Sequence, residues 1–167
     1  LLGDVPAGDK ALVFTQYPGF ERLVPHLKER LGRSVGFFHG RLNAKQREEL
    51  LAAFAREGGP SVLVVSIRAG GRGLNLPAAN HVFHFDRWWN PAVEQQATDR
   101  AYRFGQHKDV FVHSLICTAT LEERIDQLRR LAPAELPLAL HRVHLIRDAP
   151  LERPVRFGEF FRLGLHP

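Results

Sequence analysis

Short apolar runs alternate with amphipathic stretches along most of the chain. Ala11 to Phe14 is continuously apolar, and Phe20, Leu23, Val24, Leu27 and Leu31 then recur at helical spacing on one face. This pattern predicts a strand followed by a helix, with Pro25 imposing a kink or a late start. Val35 to Phe38 predicts a second strand. Asn43 then caps a helix carrying Leu50, Leu51 and Phe54, with Gln46 placed to complete a capping-box pair. Gly58, Gly59 and Pro60 break the chain before Val62 to Val65, a β-branched run of the kind buried on both faces of a parallel sheet. After a glycine-rich turn at Gly70 to Gly73 comes a strand, Val82 to Phe85. Asn90 and Pro91 then form a cap and first-turn pair for a helix expected to run to Phe104. Val110 to Ile116 is expected to be the last strand and Leu121 to Leu131 the last helix.

Strands alternating with helices predict an α/β domain: a mostly parallel sheet covered on both sides and joined by right-handed crossovers. Ligands of such sheets sit at the carboxyl ends of the strands. The loops beginning at Gln16, His39, Ser66 and Asp86 are therefore expected to line one edge. With 167 residues, 44% apolar and 25% charged, the chain has the size and make-up of one globular domain. Its apolar runs are strand-sized, far short of the ~20 residues of a membrane span. The chain starts at Leu1 and contains no Met, and it is read as a piece of a longer protein. The lone Cys117 has no partner for an internal disulfide, which fits a reducing compartment. The expected location is intracellular, cytoplasmic or nucleoid-associated in a bacterium. The net charge of +5 rests almost wholly on arginine, since lysine occurs only at Lys10, Lys28, Lys45 and Lys108. Arginine suits phosphate because its planar fork donates two hydrogen bonds at once.

Several chemistries are excluded. No G-x-x-x-x-G-K-[ST] loop is present to cradle a nucleotide's phosphates. Gly71-Arg72-Gly73 lacks the third glycine of a dinucleotide fingerprint, and no serine sits in a G-x-S-x-G elbow. His81 and His84 share a strand at an offset that points them to opposite faces, so no metal site is expected. The informative group is Gln96, Arg100 and Arg103, on one side of the predicted helix beside the apolar stripe of Val93, Ala97, Ala101 and Phe104. Arginines at the margin of a packed face can be held in position and still reach a transferring phosphoryl group. Spacing alone favours the plainer alternative, an exposed Asp99–Arg103 pair worth little.

These residues carry a family resemblance. Ser66 to Leu76 (SIRAGGRGLNL) resembles motif five of the Swi/Snf family within helicase superfamily two, and Gln96 to Gln106 (QATDRAYRFGQ) is similar to its motif six. Asp86-Arg87-Trp88-Trp89-Asn90-Pro91 looks like the D-x-x-W-N-P element between them. Val13-Phe14-Thr15-Gln16 resembles motif four, and Phe38-His39-Gly40 the start of motif four-a. The likeness covers residues 10–131 as a RecA-like three-layer αβα C-terminal helicase lobe, preceded by a lead-in of residues 1–9 and followed by a divergent tail of residues 132–167.

The resemblance implies the C-terminal motor lobe of an ATP-dependent double-stranded DNA translocase or remodeller. By it, Arg100 and Arg103 are the arginine fingers, and Gly73, Asn75 and Gln96 lie at the nucleotide cleft. Gln16, His39, Gly40, Ser66, Arg68, Ala69, Gly70 and Trp89 face the DNA, where such contacts grip phosphate and not sequence. Arg41, Arg72 and Arg87 are either further phosphate contacts or ordinary solvated charges, and Trp88 is expected to be more buried than Trp89. ATP and Mg2+ are expected to be bound mainly by an N-terminal RecA-like lobe of the same parent, with no cofactor and no turnover in this chain alone. The implied partners are that lobe, duplex DNA and the transcription machinery, with no membrane. The alternatives are a superfamily-two RNA helicase lobe and a non-catalytic docking module.

The chain departs from the family pattern in places. Ala119 stands where a glycine usually precedes the run Thr120 to Arg124, and Tyr102 and Phe104 replace the commoner His and Ile. From about Pro133 the resemblance stops, and Pro137, Pro150, Pro154 and Pro167 interrupt any helical pattern. That tail is expected to be a poorly ordered extension or the product of a shifted reading frame.

Overall fold

The protein is described by a computed structural model, covering residues 1–16, 22–67, 69, 74–88, 90–102, 105–131 and 140–146. Strands β1 (Ala11–Thr15), β2 (Val35–Phe38), β3 (Val62–Ser66), β4 (His81–His84), β5 (Phe111–Cys117) and β6 (Leu140–Ile146) form one six-stranded sheet in the order β2-β3-β1-β4-β5-β6. Every pairing is parallel. The central strands β1 and β3 are buried at every position, as their unbroken apolar runs require.

Helices α1 (Leu23–Leu31), α2 (Ala44–Ala55), α3 (Pro91–Thr98) and α4 (Leu121–Leu131) link the strands. Helix α1 lies on one face, packing Leu23, Val24 and Leu27 against Val13, Val35, Val62, Val64 and Phe83. Phe54 of α2 and Ala97 of α3 cover the opposite face, against Leu12, Phe14, Phe38, Leu63, Val65 and Val82. The result is three layers.

Local chemistry sets the helix boundaries. The structure resolves the two readings of Pro25 in favour of a late start: α1 begins at Leu23, so the proline falls in the first turn, where its missing N–H has no intrahelical partner. Asn43 and Gln46 exchange the reciprocal bonds of a capping box, with Gln46 N donating to Asn43 Oδ1 at 2.8 Å and Asn43 N to Gln46 Oε1 at 3.0 Å. Beyond the end of α2, a Cβ at Gly59 would fall 1.9 Å from the Ala53 carbonyl oxygen, so this turn accepts only glycine. The Lys10 ammonium closes the same helix end by donating to the carbonyls of Phe54 and Arg56.

Two sequence expectations need correction. The helix after Pro91 stops at Thr98 and not at Phe104, and residues 99–102 continue as tight turns, with Ala101 N and Tyr102 N both donating to the Thr98 carbonyl. Within them Arg100 N donates to the Ala97 carbonyl at 3.3 Å, three residues back and not four, and the Arg100 carbonyl accepts from Leu76 N at 2.9 Å. Second, β5 is not the last strand, because Leu140–Ile146 pairs in register along the whole of β5. For those residues the expectation of an irregular tail does not hold, since an open parallel edge accepts a backbone whatever the prolines on either side. The lead-in joins the packing, with Val5 buried against the α1 face. Residues 132–139 and 147–167 lie outside the described set. Among the described residues no helix is long and apolar enough to cross a membrane.

Candidate functional site

Parallel strands deliver their carboxyl ends to one edge. The register sets Thr15 beside Ser66, so the loops after β1 and β3 leave the sheet as neighbours. Their backbones are tied together by Ile67 N donating to the Thr15 carbonyl at 3.0 Å, and the segment after β3 turns back on itself with Ala69 N donating to the Ser66 carbonyl at 3.0 Å. Gly40, after β2, comes so close to this loop that a Cβ there would lie 3.9 Å from the Ala69 Cβ. Gln16, His39, Gly40, Ser66 and Ala69 therefore assemble on one edge as the sequence predicts. Arg68, Gly70 and Trp89 lie outside the described residues.

The members of this edge differ in freedom. Gly40 is exposed, and its carbonyl accepts from Arg47 Nη2 at 3.1 Å. His39 is half-buried, tilted against Phe37 and accepting the Arg41 N–H at 3.3 Å. Ser66 is buried. The Gln16 amide donates to the Arg87 carbonyl at 3.2 Å, so its side chain braces the neighbouring loop.

Asp86 organises that neighbouring loop. It is buried directly after β4 and accepts from the Thr15 hydroxyl at 2.6 Å and from Gln16 N at 3.1 Å to each oxygen. Arg87 is neither a solvated charge nor an exposed phosphate contact. It is buried, with Nη1 3.4 Å from Glu94 and Nη2 3.5 Å from Asp126. Burial follows because α4 brings Asp126 over the loop, a partner too distant in sequence for local spacing to reveal. Glu94 also accepts Trp88 N at 2.8 Å, and Trp88 is half-buried. Asn90 caps α3 by accepting from Ala92 N at 3.0 Å.

The set expected at the nucleotide cleft is only partly described. Arg100 is 7% exposed, deeper than the margin of a packed face. Its bond to Leu76 joins the arginine turn to the last part of the glycine-rich segment, next to the exposed Asn75. Gln106 reinforces this junction by donating to the carbonyls of Ala79 at 2.7 Å and Pro77 at 3.0 Å. Gln96 is exposed on α3, and Asp99 accepts from Gln95 at 2.8 Å. Gly73, Arg72 and Arg103 lie outside the described residues. Sequence reasoning passed over Asp86, Glu94, Asp126 and Gln106. Asp86 was visible as the opening residue of D-x-x-W-N-P and Gln106 as the closing residue of the stretch similar to motif six, while Glu94 and Asp126 carried no local signal.

The histidines do other work. His81 Nδ1 lies 3.2 Å from His113 Nε2, with Asp9 3.4 Å from its other nitrogen, and His84 meets the Thr98 hydroxyl at 3.0 Å. Burial pushes the Asp9 carboxyl up, but hydrogen bonds from Lys108, Asn80 and His81 and the Lys108 charge outweigh it and hold the pKa below the ordinary 3.8. Among the described residues no three His, Cys, Asp or Glu side chains are grouped to hold a metal ion.

Comparison with known proteins agrees with this geometry. Residues 1–105 match the helicase conserved C-terminal domain. YwqA of Bacillus subtilis (strain 168), named for ATP-dependent helicase/translocase activity, is 51% identical over 119 residues, covering 71% of this chain and 13% of that protein. The DNA repair protein RAD5B of Arabidopsis thaliana is 43% identical over 123 residues, covering 74% of this chain and 10% of that one. The Sulfolobus solfataricus SWI2/SNF2 ATPase core in complex with dsDNA superposes with a TM-score of 0.62 at 41% identity, covering 75% of this chain and 26% of that one. The C-terminal part of the Fun30 ATPase domain gives a TM-score of 0.67 at 31% identity, covering 76% and 41%. The chain thus spans a small fraction of the length of the curated relatives it matches. Ordered motifs, a parallel RecA-like sheet and these matches agree, and the chain belongs to the helicase conserved C-terminal domain family, as a C-terminal lobe of the Swi2/Snf2 type.

Proposed function

We propose that this lobe is the second half of the motor of an ATP-dependent double-stranded DNA translocase or remodeller. The observation that carries the reading is the Leu76–Arg100 bond, which makes the glycine-rich segment and the arginine turn one mechanical unit. A first RecA-like lobe holds ATP, and closure brings Arg100 and Arg103 to the transferring phosphoryl group, with Gly73, Asn75 and Gln96 lining the same cleft. A guanidinium there stabilises transition-state charge and is worth about a thousandfold or more in rate. Gln16, His39, Gly40, Ser66, Arg68, Ala69, Gly70 and Trp89 grip one strand of the duplex, and alternating closure and opening advances the protein along it.

The chain's own residues do not fit a resident Mg2+. The acid at the carboxyl edge, Asp86, is committed to Thr15 and Gln16, and no acidic cluster accompanies it among the described residues. The metal and the phosphate cradle are assigned to the other lobe.

The test uses the two-lobe parent. Arg103→Ala abolishes DNA-stimulated hydrolysis while nucleotide binding persists, and loss of binding instead would reassign the residue. Duplex DNA, and not RNA, stimulates the wild type; stimulation by RNA alone makes the chain an RNA helicase lobe. DNA-stimulated turnover by these 167 residues in isolation refutes the division of labour.

A further inference from the structure

A chain of buried charges runs from α4 to the tryptophan loop. Asp126 lies 3.5 Å from Arg87 Nη2, Arg87 Nη1 lies 3.4 Å from one oxygen of Glu94, and the other Glu94 oxygen accepts Trp88 N at 2.8 Å. The side chains of Arg87, Glu94 and Asp126 are 6%, 10% and 12% exposed, so little solvent screens them. Asp126 is itself well anchored. The first turn of α4 is fastened to the end of β5, with Glu122 accepting Cys117 N at 3.0 Å, Glu123 accepting Ala119 N at 2.8 Å and the Thr120 hydroxyl donating to the Cys117 carbonyl at 2.6 Å.

We propose that Arg87 is a positioning residue through which α4, by way of Asp126, sets the placement of the loop carrying Trp88 and Trp89. The inference rests on the motor-lobe reading for its consequence, since that loop belongs to the proposed DNA grip. Its first test does not depend on that reading. An arginine suits the role because its fork can meet two carboxylates at once, whereas a lysine offers a point charge that cannot span both. Glu94 stays beside Arg87 when the Asp126 charge is lost, so Arg87 keeps a carboxylate partner while the tie to α4 loosens. Elements that move α4 thereby acquire a path to the DNA-facing loop.

The chain's two tryptophans are Trp88 and Trp89, so emission excited to the red of tyrosine absorption reports on this loop alone. In the full 167-residue chain, Asp126→Asn and Arg87→Lys shift the emission to longer wavelength and increase quenching by acrylamide. Asp126→Glu restores part of the shift, and Gln127→Ala, an exposed neighbour on α4, changes nothing. In the two-lobe parent, the Asp126→Asn loop occupies its competent arrangement about a tenth of the time, and the duplex concentration for half-maximal ATPase stimulation rises about tenfold at unchanged maximal rate. Emission and quenching identical to wild type in both Asp126→Asn and Arg87→Lys overturn the proposal, as does an equal change in Gln127→Ala. A loosened loop in a protein whose wild type ignores duplex DNA upholds the positioning role and removes the motor reading instead.

Discussion

Replacing Asp86 with alanine removes the acceptor that joins the loop after β4 to the loop after β1. The carboxylate is 5% exposed and Thr15 is 0% exposed, so water cannot readily replace what is lost. Two donors lose their partner: the Thr15 hydroxyl at 2.6 Å and the Gln16 N–H at 3.1 Å. An unsatisfied buried donor costs about 1–3 kcal/mol. The hydroxyl can rotate toward another acceptor, which favours the low end for Thr15, so the total is about 2–4 kcal/mol. For a domain of this size that lowers the melting midpoint by about 5–15 °C. Thermal unfolding followed by circular dichroism measures it, and Asp86→Asn, which keeps one acceptor, loses about half as much. A double-mutant cycle with Thr15→Val isolates the bond. An Asp86→Ala midpoint within about 2 °C of wild type, or strict additivity in the cycle, refutes the claim that this carboxylate pins the two loops.

Further outcomes follow from other positions. Phe54 is fully buried between α2 and the sheet, and its ring also lies under the Lys10 ammonium at 5.2 Å, so Phe54→Ala costs about 3–5 kcal/mol in urea unfolding. Ala119 holds a left-handed backbone at φ 60; Ala119→Gly removes that strain against glycine's greater freedom in the unfolded chain and stabilises by about 0.5–1 kcal/mol in the same assay. The depressed Asp9 carboxyl contributes stability that is present above its ordinary 3.8 and is lost as pH falls through the lower folded value, so melting midpoints decline below about pH 4, a decline that Asp9→Asn flattens. Burial, with the Glu122 carboxylate beside it, pushes the Cys117 thiol up to about 12, so iodoacetamide at pH about 8 labels it only after denaturant is added.

Much of the scaffold was legible because its signals are local. The run Val62 to Val65 can satisfy its side chains only in a strand buried on both faces, and Asn43 with Gln46, or Asn90 with Pro91, settle helix starts within one turn. The carboxyl-edge grouping of Gln16, His39 and Ser66 followed from parallel topology alone. What escaped was non-local. The spacing of Ala97, Ala101 and Phe104 continues a helical stripe, yet the regular ladder ends at Thr98 and the Arg100 carbonyl is taken by Leu76, distant in sequence. Arg87 reads as surface charge until Asp126 is brought over it, and β6 exists because β5 offers an unpaired edge to a segment with weak patterning of its own. The motif likeness supplied roles for the arginines that spacing left open.

The order in which the strands were laid down decides how each side of the sheet is sheltered. From β2 onward the chain steps repeatedly in one direction across the sheet, and only the passage from β1 to β2 goes the other way. A fixed crossover hand sends connections of opposite direction to opposite sides, and of α1, α2 and α3 only α1 reaches the side bearing Val13 and Phe83. A small apolar hollow is left there, bounded by Phe83, Phe85, Leu115, Leu23 and Leu27 and roofed by Leu1 and Leu2. Leu1 and Leu2 thus act as a lean-to on the side that, of α1, α2 and α3, only α1 covers, and trimming them would wet an aromatic floor.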